Sequence, residues 1–365
     1  MKKRIFAVMM CIALCMLFTA GCGNVSEDAQ NAAETSGGRE TSEDKTETAE
    51  SGTEVPEGET KTPETAEAAG VRVGSLKGPT SMGLVYLMSQ AEAGESEGSY
   101  TFTMAAAADE LLPKMVSGEL DIALIPANVA SILYHKTKGG VSVIDINTLG
   151  VLYMVSGDNS IDCMEALKGR TIYLTGKGTT PDFVFQYLLA ENGLMPDDMT
   201  LEYKSEATEV AAILKENPSA VGILPQPFVT AACMQNEALS VVMDLTAEWA
   251  GIQGEGGSSL VTGVTVVRND FLAENPDAVE KFMKEHKTSA AYANENVEAA
   301  AELVASYGII EKAPVAAKAI PFCNITYMDG ADMKAALSGY LEVLFEKDAS
   351  AVGGSLPGDD FYYMP

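Results

Sequence analysis

Histidine and basic side chains are scarce in this 365-residue chain. It has two histidines, and 24 Lys and Arg residues stand against 52 Asp and Glu residues, which gives a formal net charge of −28. A nucleic-acid-binding surface needs clustered basic residues that neutralise phosphates, so we expect no nucleic-acid partner. Zinc sites need grouped Cys and His ligands, and no such group occurs in the sequence. We therefore predict neither a metal nor a cofactor.

Cysteines and long apolar runs are equally sparse beyond the amino terminus. Three of the six cysteines fall in the first 22 residues, and the others are Cys163, Cys233 and Cys323. Three widely spaced cysteines cannot form a disulfide framework, although one bridge or three buried thiols are both compatible with the spacing. No second apolar run reaches the roughly 20 residues that span a bilayer. The chain beyond residue 22 is therefore expected to form a soluble domain.

The first 22 residues have the pattern of an export signal. A basic start at residues 2–4 precedes an apolar run over residues 5–18, and small residues lead to Cys22. This ending resembles the lipobox of bacterial lipoproteins, in which the cysteine is diacylated and becomes the mature amino terminus, although Thr19 stands where that pattern prefers Leu. We predict an extracytoplasmic protein whose lipid anchor is Cys22. An ordinary cleaved signal with an incidental cysteine is the alternative.

Residues 23–70 contain almost nothing that could build a core. Glu, Thr, Ser, Ala and Gly dominate, aromatic residues are absent, and the segment carries a net charge of −10. Such a composition predicts a disordered, extended linker. With the signal (+3) and the linker (−10) set aside, −21 of the total −28 remains on residues 71–365. These 295 residues suffice for two α/β lobes.

Strand and helix patterns alternate along this acidic domain. VRVGSL, SYTFTMA, LDIALI and VSVIDI read as strands followed by helical or turn segments, and TIYLTG, TLEYKS and SAVGILP repeat the plan. LSVVMDL, a Gly-rich passage and VTGVTVVR follow, and the remainder reads as mainly helical. This order favours a mostly parallel sheet with helices packed on it.

Two glycine loops follow predicted strands in the two halves of the domain. One is Lys77-Gly78-Pro79-Thr80, and the other is Lys177-Gly178-Thr179-Thr180 within TIYLTGKGTTPDFVFQYLL. The second is not a nucleotide-hydrolysing loop, which needs four residues between its first Gly and Gly-Lys-Ser/Thr. Both are predicted at the carboxyl end of a strand and the amino end of a helix, where open α/β sheets bind ligands. Free amides and the helix dipole there favour an anion or another hydrogen-bond acceptor.

Six phrases of the sequence, in this order, resemble ABC-transporter substrate-binding proteins. They are VGSLKGPTSMGLVYLM, SGELDIALIPANVASILYHK, INTLGVLYMV, LKGRTIYLTGKGTTPD, AAILKENPSAVGILPQPFVTAA and VVRNDFLAENPDAVEKFMKE, over about residues 71–346. The similarity is to the type 2 periplasmic-binding fold and its SsuA/THI5-like (NMT1-like) group, which includes sulfonate- and pyrimidine-binding members. It implies an α/β fold with two lobes, residues 71–153 plus 262–365 and residues 154–261. Each lobe would be a mostly parallel sheet flanked by helices, with a ligand cleft between the lobes.

The resemblance places the ligand contacts on the loops that line this cleft. In the first lobe the candidates are Lys77, Gly78, Pro79, Thr80, Ser81, Pro126, Ala127, Asn128, Asn147 and Thr148. In the second lobe they are Gly178, Thr179, Thr180, Asp182, Pro225, Gln226 and Pro227. Their hydroxyl and amide groups can bind a small polar ligand. Helix capping, tight turns or plain surface charge would explain the same residues without a ligand.

Together these features predict a monomeric, lipid-anchored solute-binding protein rather than an enzyme. The expected ligand is a small polar or anionic organic molecule of the sulfonate, pyrimidine or thiamine-precursor type, and the expected partner is an ABC permease that receives it when the lobes close. A ligand-sensing lipoprotein not coupled to transport is one alternative. The other is a THI5-like pyrimidine-synthesis enzyme, a class that carries a cysteine-rich motif and uses histidine and pyridoxal phosphate, whereas this chain has isolated cysteines and two histidines.

The predicted anchor can be tested by replacing Cys22 with Ser. We expect the wild-type protein to enter the detergent-rich phase in a Triton X-114 partition of cells that produce it. The C22S variant should stay in the aqueous phase, because its lipid cannot be attached and acyl chains supply the membrane affinity. A C163S variant is the control and should partition like the wild type. Detergent-phase C22S protein would show that Cys22 is not the anchor.

Overall fold

A computed structural model describes residues 70–254 and 257–365 of the chain. The predicted signal peptide, the anchor Cys22 and the linker up to residue 69 lie outside these residues. The described residues belong to a single contact unit. None of their helices combines the length and the apolar character needed to cross a bilayer.

The described residues form strands and helices in alternation. The strands are β1 (Val71–Leu76), β2 (Tyr100–Ala105), β3 (Ile122–Pro126), β4 (Val141–Leu149), β5 (Leu152–Ser156), β6 (Thr171–Thr175), β7 (Thr200–Lys204), β8 (Val221–Pro225), β9 (Ser240–Asp244), β10 (Val261–Arg268) and β11 (Ile325–Met328). The helices are α1 (Pro79–Met82), α2 (Val85–Ala93), α3 (Ala108–Ser117), α4 (Ala127–Thr137), α5 (Thr180–Glu191), α6 (Ala207–Glu216), α7 (Phe228–Gln235), α8 (Leu245–Gln253), α9 (Asn269–Glu274), α10 (Pro276–Glu295), α11 (Val297–Ser306), α12 (Ala313–Ala319) and α13 (Gly330–Lys347).

The strands form two sheets. The first has the order β11-β4-β10-β3-β1-β2, and the second has the order β7-β6-β8-β5-β9. In the first sheet β1, β2 and β3 are parallel, and β10 runs antiparallel to both β3 and β4. In the second sheet β6, β7 and β8 are parallel, and β5 runs antiparallel to β8 and β9. The predicted α/β architecture of two sheets flanked by helices is confirmed, with pairing that is mixed in each sheet.

The mixed pairing follows from two passages of the chain between the sheets. β4 ends at Leu149 and β5 begins at Leu152, so the first passage takes only Gly150 and Val151. The second passage lies between α8 and β10. β5 and β10 each begin at the edge where the two sheets meet, because the chain enters them from the other sheet. β3, β4 and β8 end at that edge, so β5 and β10 run antiparallel to them. The carboxyl ends of β3 and β4 in one sheet and of β6 and β8 in the other therefore meet along one seam.

Several elements differ from the sequence prediction. Leu152 and Tyr153, assigned above to the first lobe, lie in β5 of the second sheet. The helical pattern after β1 is split at Gly83 into α1 and α2, and β4 continues through Asn147 and Thr148, which were expected in a loop. The edge strand β11 was not predicted because it is only four residues long and stands among helices. The remaining lobe boundaries stay a prediction.

A buried aromatic group joins helices from the two sides of the seam. Trp249 of α8 is fully buried, with its ring centroid 4.6 Å from that of Tyr187 in α5 and 5.7 Å from that of Tyr340 in α13. Its Nε1 donates a 3.0 Å hydrogen bond to the Ser258 carbonyl. α5 packs on β6 of the second sheet, and α13 packs on β4 of the first. One apolar cluster therefore continues from one sheet to the other.

Truncating Trp249 should destabilise the whole domain. We expect Trp249→Ala to lower the free energy of unfolding by about 3–5 kcal/mol, because it opens a large cavity where three buried rings meet. The measurement is urea unfolding followed by circular dichroism. The matched control is Met195→Ala, which removes an apolar side chain that is 65% exposed and should cost less than about 0.5 kcal/mol. Equal losses in the two variants would contradict a structural role for the aromatic group.

Candidate functional site

The first predicted ligand loop follows β1, and its hydroxyl groups are hydrogen-bonded to the end of that strand. Thr80 Oγ1 donates to the Leu76 carbonyl at 3.1 Å. Ser81 Oγ donates to Ser75 Oγ at 2.7 Å and is also bonded to the Leu76 carbonyl. Both side chains are buried. These contacts fasten the start of α1 to the end of β1, which is a structural explanation for Thr80 and Ser81.

Lys77 and Gly78 leave this loop open on its outer side. Lys77 is exposed. Gly78 has φ 136°, a conformation that favours glycine, and a Cβ added there would meet no atom within 4 Å. Pro79 occupies the first position of α1, where a missing amide hydrogen costs nothing. Lys77 and Gly78 are therefore the members of the first loop that remain available to a ligand.

Asn147 and Thr148 belong to a buried polar chain beneath the seam. Thr148 Oγ1 donates to Asn147 Oδ1 at 2.9 Å, and Asn147 Nδ2 donates to Thr265 Oγ1 at 3.1 Å. Thr265 Oγ1 donates to Asp145 Oδ1 at 2.7 Å, and Asp145 Oδ2 lies 3.1 Å from His286 Nδ1. All five side chains are buried. These bonds fix the position of β4 against β10, whereas His286 Nε2 at the end of the chain has no partner among the described residues. A direct ligand role for Asn147 and Thr148 stays a prediction.

The close fit of β10 brings two of the candidates together. A Cβ on Gly263 would lie 2.5 Å from Asn147 Oδ1 and 2.6 Å from Thr80 Cγ2. Gly263 pairs with Pro126, the last residue of β3. Asn128, the second residue of α4, donates at 3.4 Å to the carbonyl of Ala351. Ala127 is the first residue of α4 and is buried.

The second predicted loop contains its own anion. Asp182 is buried, and its Oδ2 accepts a 2.8 Å hydrogen bond from the Gly178 amide. Its Oδ1 accepts from Tyr203 Oη at 2.6 Å and from Gln186 Nε2 at 2.7 Å. Burial, together with the bond to Asp182, raises the pKa of the Tyr203 hydroxyl above its ordinary value. Lys177 Nζ lies 5.4 Å from the centroid of the Tyr203 ring.

This arrangement changes what the second loop can bind. Asp182 is the third residue of α5, from which an acidic side chain commonly reaches back to an amide before the helix. The sequence predicted that the Gly178 amide would donate a hydrogen bond to an anionic ligand. It donates instead to the Asp182 carboxylate. A second negative group beside Asp182 would be repelled in a site of low polarity. The available cationic loop at the seam is therefore the one that contains Lys77.

Thr179 and Thr180 also lie against other parts of the protein. Thr179 Oγ1 donates to the Gly176 carbonyl at 2.6 Å. Burial raises the pKa of the Tyr340 hydroxyl in α13, and the nearby Thr180 hydroxyl opposes this rise. α5 and α13 pack on different sheets. Thr180, at the start of α5, is therefore next to a helix on the other side of the seam.

Gln226 is buried, and only the oxygen of its side-chain amide is hydrogen-bonded within the described residues. The residue is 3% exposed, and its Oε1 accepts from Thr230 Oγ1 at 2.8 Å and from the Thr230 amide at 3.3 Å. Its Nε2 has no hydrogen-bond partner among residues 70–254 and 257–365. The peptide bond to Pro227 is cis, and Pro225 ends β8 directly before it.

Gln226 borders a groove of about 860 Å³ at the side of the seam. One wall is formed by α7 and β9, and the other is formed by the turn that follows α12. Tyr153 lies at its base, where its hydroxyl donates to the Phe322 carbonyl at 2.8 Å. Burial is the main cause of the raised pKa of Tyr153. Lys318 and Phe322, which also line the groove, were not among the ligand contacts predicted from the sequence, because no individual helix or turn was predicted at their positions.

Three comparisons place the chain among known proteins. A protein-family model described as "Menaquinone biosynthesis" matches residues 72–345. A Brucella abortus protein named only as a binding protein is 23% identical over 197 residues, which are 54% of this chain and 58% of that protein. The chain therefore matches little more than half the length of this curated relative.

Solved structures of ABC-transporter components have the same fold. An ABC transporter protein from Parabacteroides distasonis superposes with a TM-score of 0.67 at 22% identity, covering 81% of this chain and 98% of that one. The periplasmic aliphatic sulphonate binding protein SsuA from Escherichia coli gives 0.63 at 16% identity, with coverages of 81% and 92%. The alkanesulfonate-binding protein SsuA from Xanthomonas axonopodis pv. citri, bound to MOPS, gives 0.56 at 15% identity, with coverages of 80% and 96%.

These similarities confirm the predicted resemblance to the SsuA/THI5-like group and the periplasmic-binding-protein fold. The predicted ligand contacts stay predictions. Among them, the structure leaves Lys77, Gly78 and the Gln226 amide nitrogen available, and it gives the hydroxyl groups of Thr80, Ser81 and Thr179 internal partners.

Removing the internal anion of the second loop should have two measurable effects. We expect Asp182→Ala to lower the free energy of unfolding by about 2–3 kcal/mol, because three donors lose their acceptor in a buried site. Sulfate should then raise the melting temperature of this variant more than that of the wild type, since the Gly178 amide, no longer bonded to a carboxylate, can donate a hydrogen bond to the anion. Both effects are read from thermal unfolding at several sulfate concentrations.

The control for this test is Asp197→Ala, which removes an exposed carboxylate from the same part of the chain. It should change stability by less than about 0.5 kcal/mol and respond to sulfate like the wild type. If Asp182→Ala behaves like this control, the carboxylate does not fill an anion position in the loop.

Proposed function

Because the chain belongs to the protein family described as "Menaquinone biosynthesis" and shares the fold of ABC-transporter binding proteins, we propose that it is an extracytoplasmic solute-binding protein. It is held to the membrane by a lipid on Cys22. It binds a small polar or anionic organic molecule at the seam between its two lobes. Closure of the lobes around the ligand presents the loaded protein to an ABC permease.

The observation that carries this proposal is the shared seam. The two sheets end their parallel strands where the chain passes between them, and the first passage takes only two residues. Open α/β sheets bind ligands outside the carboxyl ends of their strands. A ligand at this seam would touch both lobes at once, and its binding energy would then favour the closed arrangement.

The available groups at the seam support a polar ligand with at least one acceptor. Lys77 supplies a positive charge, and Gly78 leaves the backbone of the first loop accessible. The two SsuA proteins with this fold are named for binding sulfonates, and a sulfonate would suit an ammonium group and backbone amides. Asp182 makes the second loop unsuitable for the anionic end of such a ligand. We therefore orient the anionic group toward Lys77.

The family description favours a second candidate, a role in menaquinone biosynthesis. Catalysis at the seam would need a general acid or base there. His286 is fully buried on α10, beside Asp145, and His135 on α4 is bonded to the Ser355 carbonyl. Neither histidine lies at the strand ends that form the seam, and Asp182, the carboxylate placed there, is already bonded to three donors. We therefore favour binding, and mass spectrometry of ligands incubated with the protein would detect any conversion.

A thermal-shift panel tests the proposed ligand class. The panel comprises alkanesulfonates, pyrimidines, thiamine, sulfate and phosphate, and a true ligand should raise the melting temperature with its concentration. For an anionic hit, Lys77→Ala should weaken the affinity about tenfold or more by calorimetry, since it removes a charge-assisted hydrogen bond.

The control is Lys168→Ala. Lys168 is exposed and precedes β6, so it lies at the opposite end of the second sheet. Its removal should leave the affinity unchanged. Equal affinities in the two lysine variants would contradict the orientation toward Lys77, and a panel without any hit would contradict the ligand class.

A further inference from the structure

We propose that the groove beside Gln226 is a second binding site, for an uncharged and largely apolar molecule that carries a carbonyl group. The groove adjoins the seam at Gln226, and its occupant is additional to the polar ligand that we place at Lys77. It is defined by α7 and β9 on one wall and by the turn at Pro321 and Phe322 on the other. Its volume of about 860 Å³ is within the usual range for small-molecule pockets.

The walls of the groove are apolar and open to solvent. Met234, Val241 and Phe322 are 40%, 45% and 53% exposed, and Val229 lines the interior. Exposed large apolar side chains that converge on one concave surface commonly mark a binding site. Covering these side chains with an apolar molecule would remove them from water and favour binding.

One side-chain amide borders this apolar surface. Gln226 lines the groove and is 3% exposed, and its Oε1 is already bonded to Thr230. Its Nε2 is the remaining donor and makes no hydrogen bond within the described part of the chain. A ligand carbonyl that reaches Nε2 would gain a hydrogen bond in mostly apolar surroundings.

The charges that line the groove select against an anion. Glu237 and Asp244 are acidic, and Lys318 is the basic residue of the lining. The Asp244 carboxylate is fixed in place by the Thr246 and Ala247 amides at 2.9 and 3.4 Å. Two carboxylates against one exposed ammonium leave the groove net negative. An uncharged molecule avoids this repulsion, whereas a sulfonate would not.

The two walls come from different sides of the seam. Val229 and Val241 belong to the second sheet and its helices, and Phe322 precedes β11 of the first sheet. The Tyr153 hydroxyl closes the base by its bond to the Phe322 carbonyl. The groove therefore has its full depth only in the arrangement of lobes described here. Its occupant should favour this arrangement.

Prodan, the uncharged fluorescent ketone 6-propionyl-2-dimethylaminonaphthalene, is a suitable probe. Its emission shifts to the blue in apolar surroundings, and its ketone can accept a hydrogen bond. We expect saturable binding at one site of the purified protein. Val241→Lys should weaken this binding at least tenfold by placing a charge in the wall. Val116→Lys, at a 63% exposed valine on α3, is the matched control and should bind prodan like the wild type.

A second probe tests the donor. 2-Dimethylamino-6-propylnaphthalene lacks the ketone but keeps the three-carbon chain, and it should bind about tenfold more weakly than prodan, since one hydrogen bond is lost. Circular dichroism confirms that the variants are folded, which is expected because both valines are exposed. Prodan affinity that is unchanged by Val241→Lys, or equal affinity of the two probes, would overturn the proposal.

Competition separates this site from the seam. A polar ligand found in the thermal-shift panel should not displace prodan competitively, and Lys77→Ala should leave prodan affinity unchanged. Competitive displacement would show that the groove is not a separate site. Prodan binding that depends on Val241, in a protein for which the panel gives no hit, would uphold the groove while contradicting the proposed polar ligand.

Discussion

The double passage of the chain between its two sheets is the constraint on which the rest of the structure depends. The first passage takes only Gly150 and Val151, so the end of β4 and the start of β5 are held within two residues of each other. Each returning strand runs against its neighbours, and the carboxyl ends of the parallel strands are therefore collected along one seam. The packing of Trp249 with Tyr187 and Tyr340 closes the same seam from the side of the second passage. The candidate sites lie at the carboxyl ends of the parallel strands, where neither the first passage nor the aromatic group covers them.

The two glycine loops at the seam look alike in sequence and differ in charge. Lys77 and Gly78 leave the first loop open, whereas Asp182 fills the second with a buried carboxylate that three donors stabilise. A ligand at the seam therefore meets one cationic loop and one neutralised loop, which gives it a preferred direction. The groove beside Gln226 has the opposite character, since its walls are apolar and its lining is net negative. Two neighbouring surfaces of one fold thus favour different chemistry.

The sequence predicted the fold well because its signals are local and repeated. A buried strand such as β3 shows as a continuous apolar run, and the glycine loops mark strand ends. The site was predicted less completely. Nothing in TGKGTTPD shows that Asp182 would turn back to its own loop, because that depends on Tyr203, which lies 21 residues away in the chain. Thr180 comes near Tyr340, and Lys318 and Phe322 reach the groove, only when the chain folds across the seam.

Hydrogen–deuterium exchange with and without the strongest ligand of the thermal-shift panel tests the central claim most directly, because it reads both lobes in one experiment. A ligand bound at the seam predicts slower exchange of backbone amides at residues 77–81 and 176–180 together, at ligand concentrations that match its affinity. Protection confined to one lobe, or found only along α7, would contradict a ligand site shared between the two lobes.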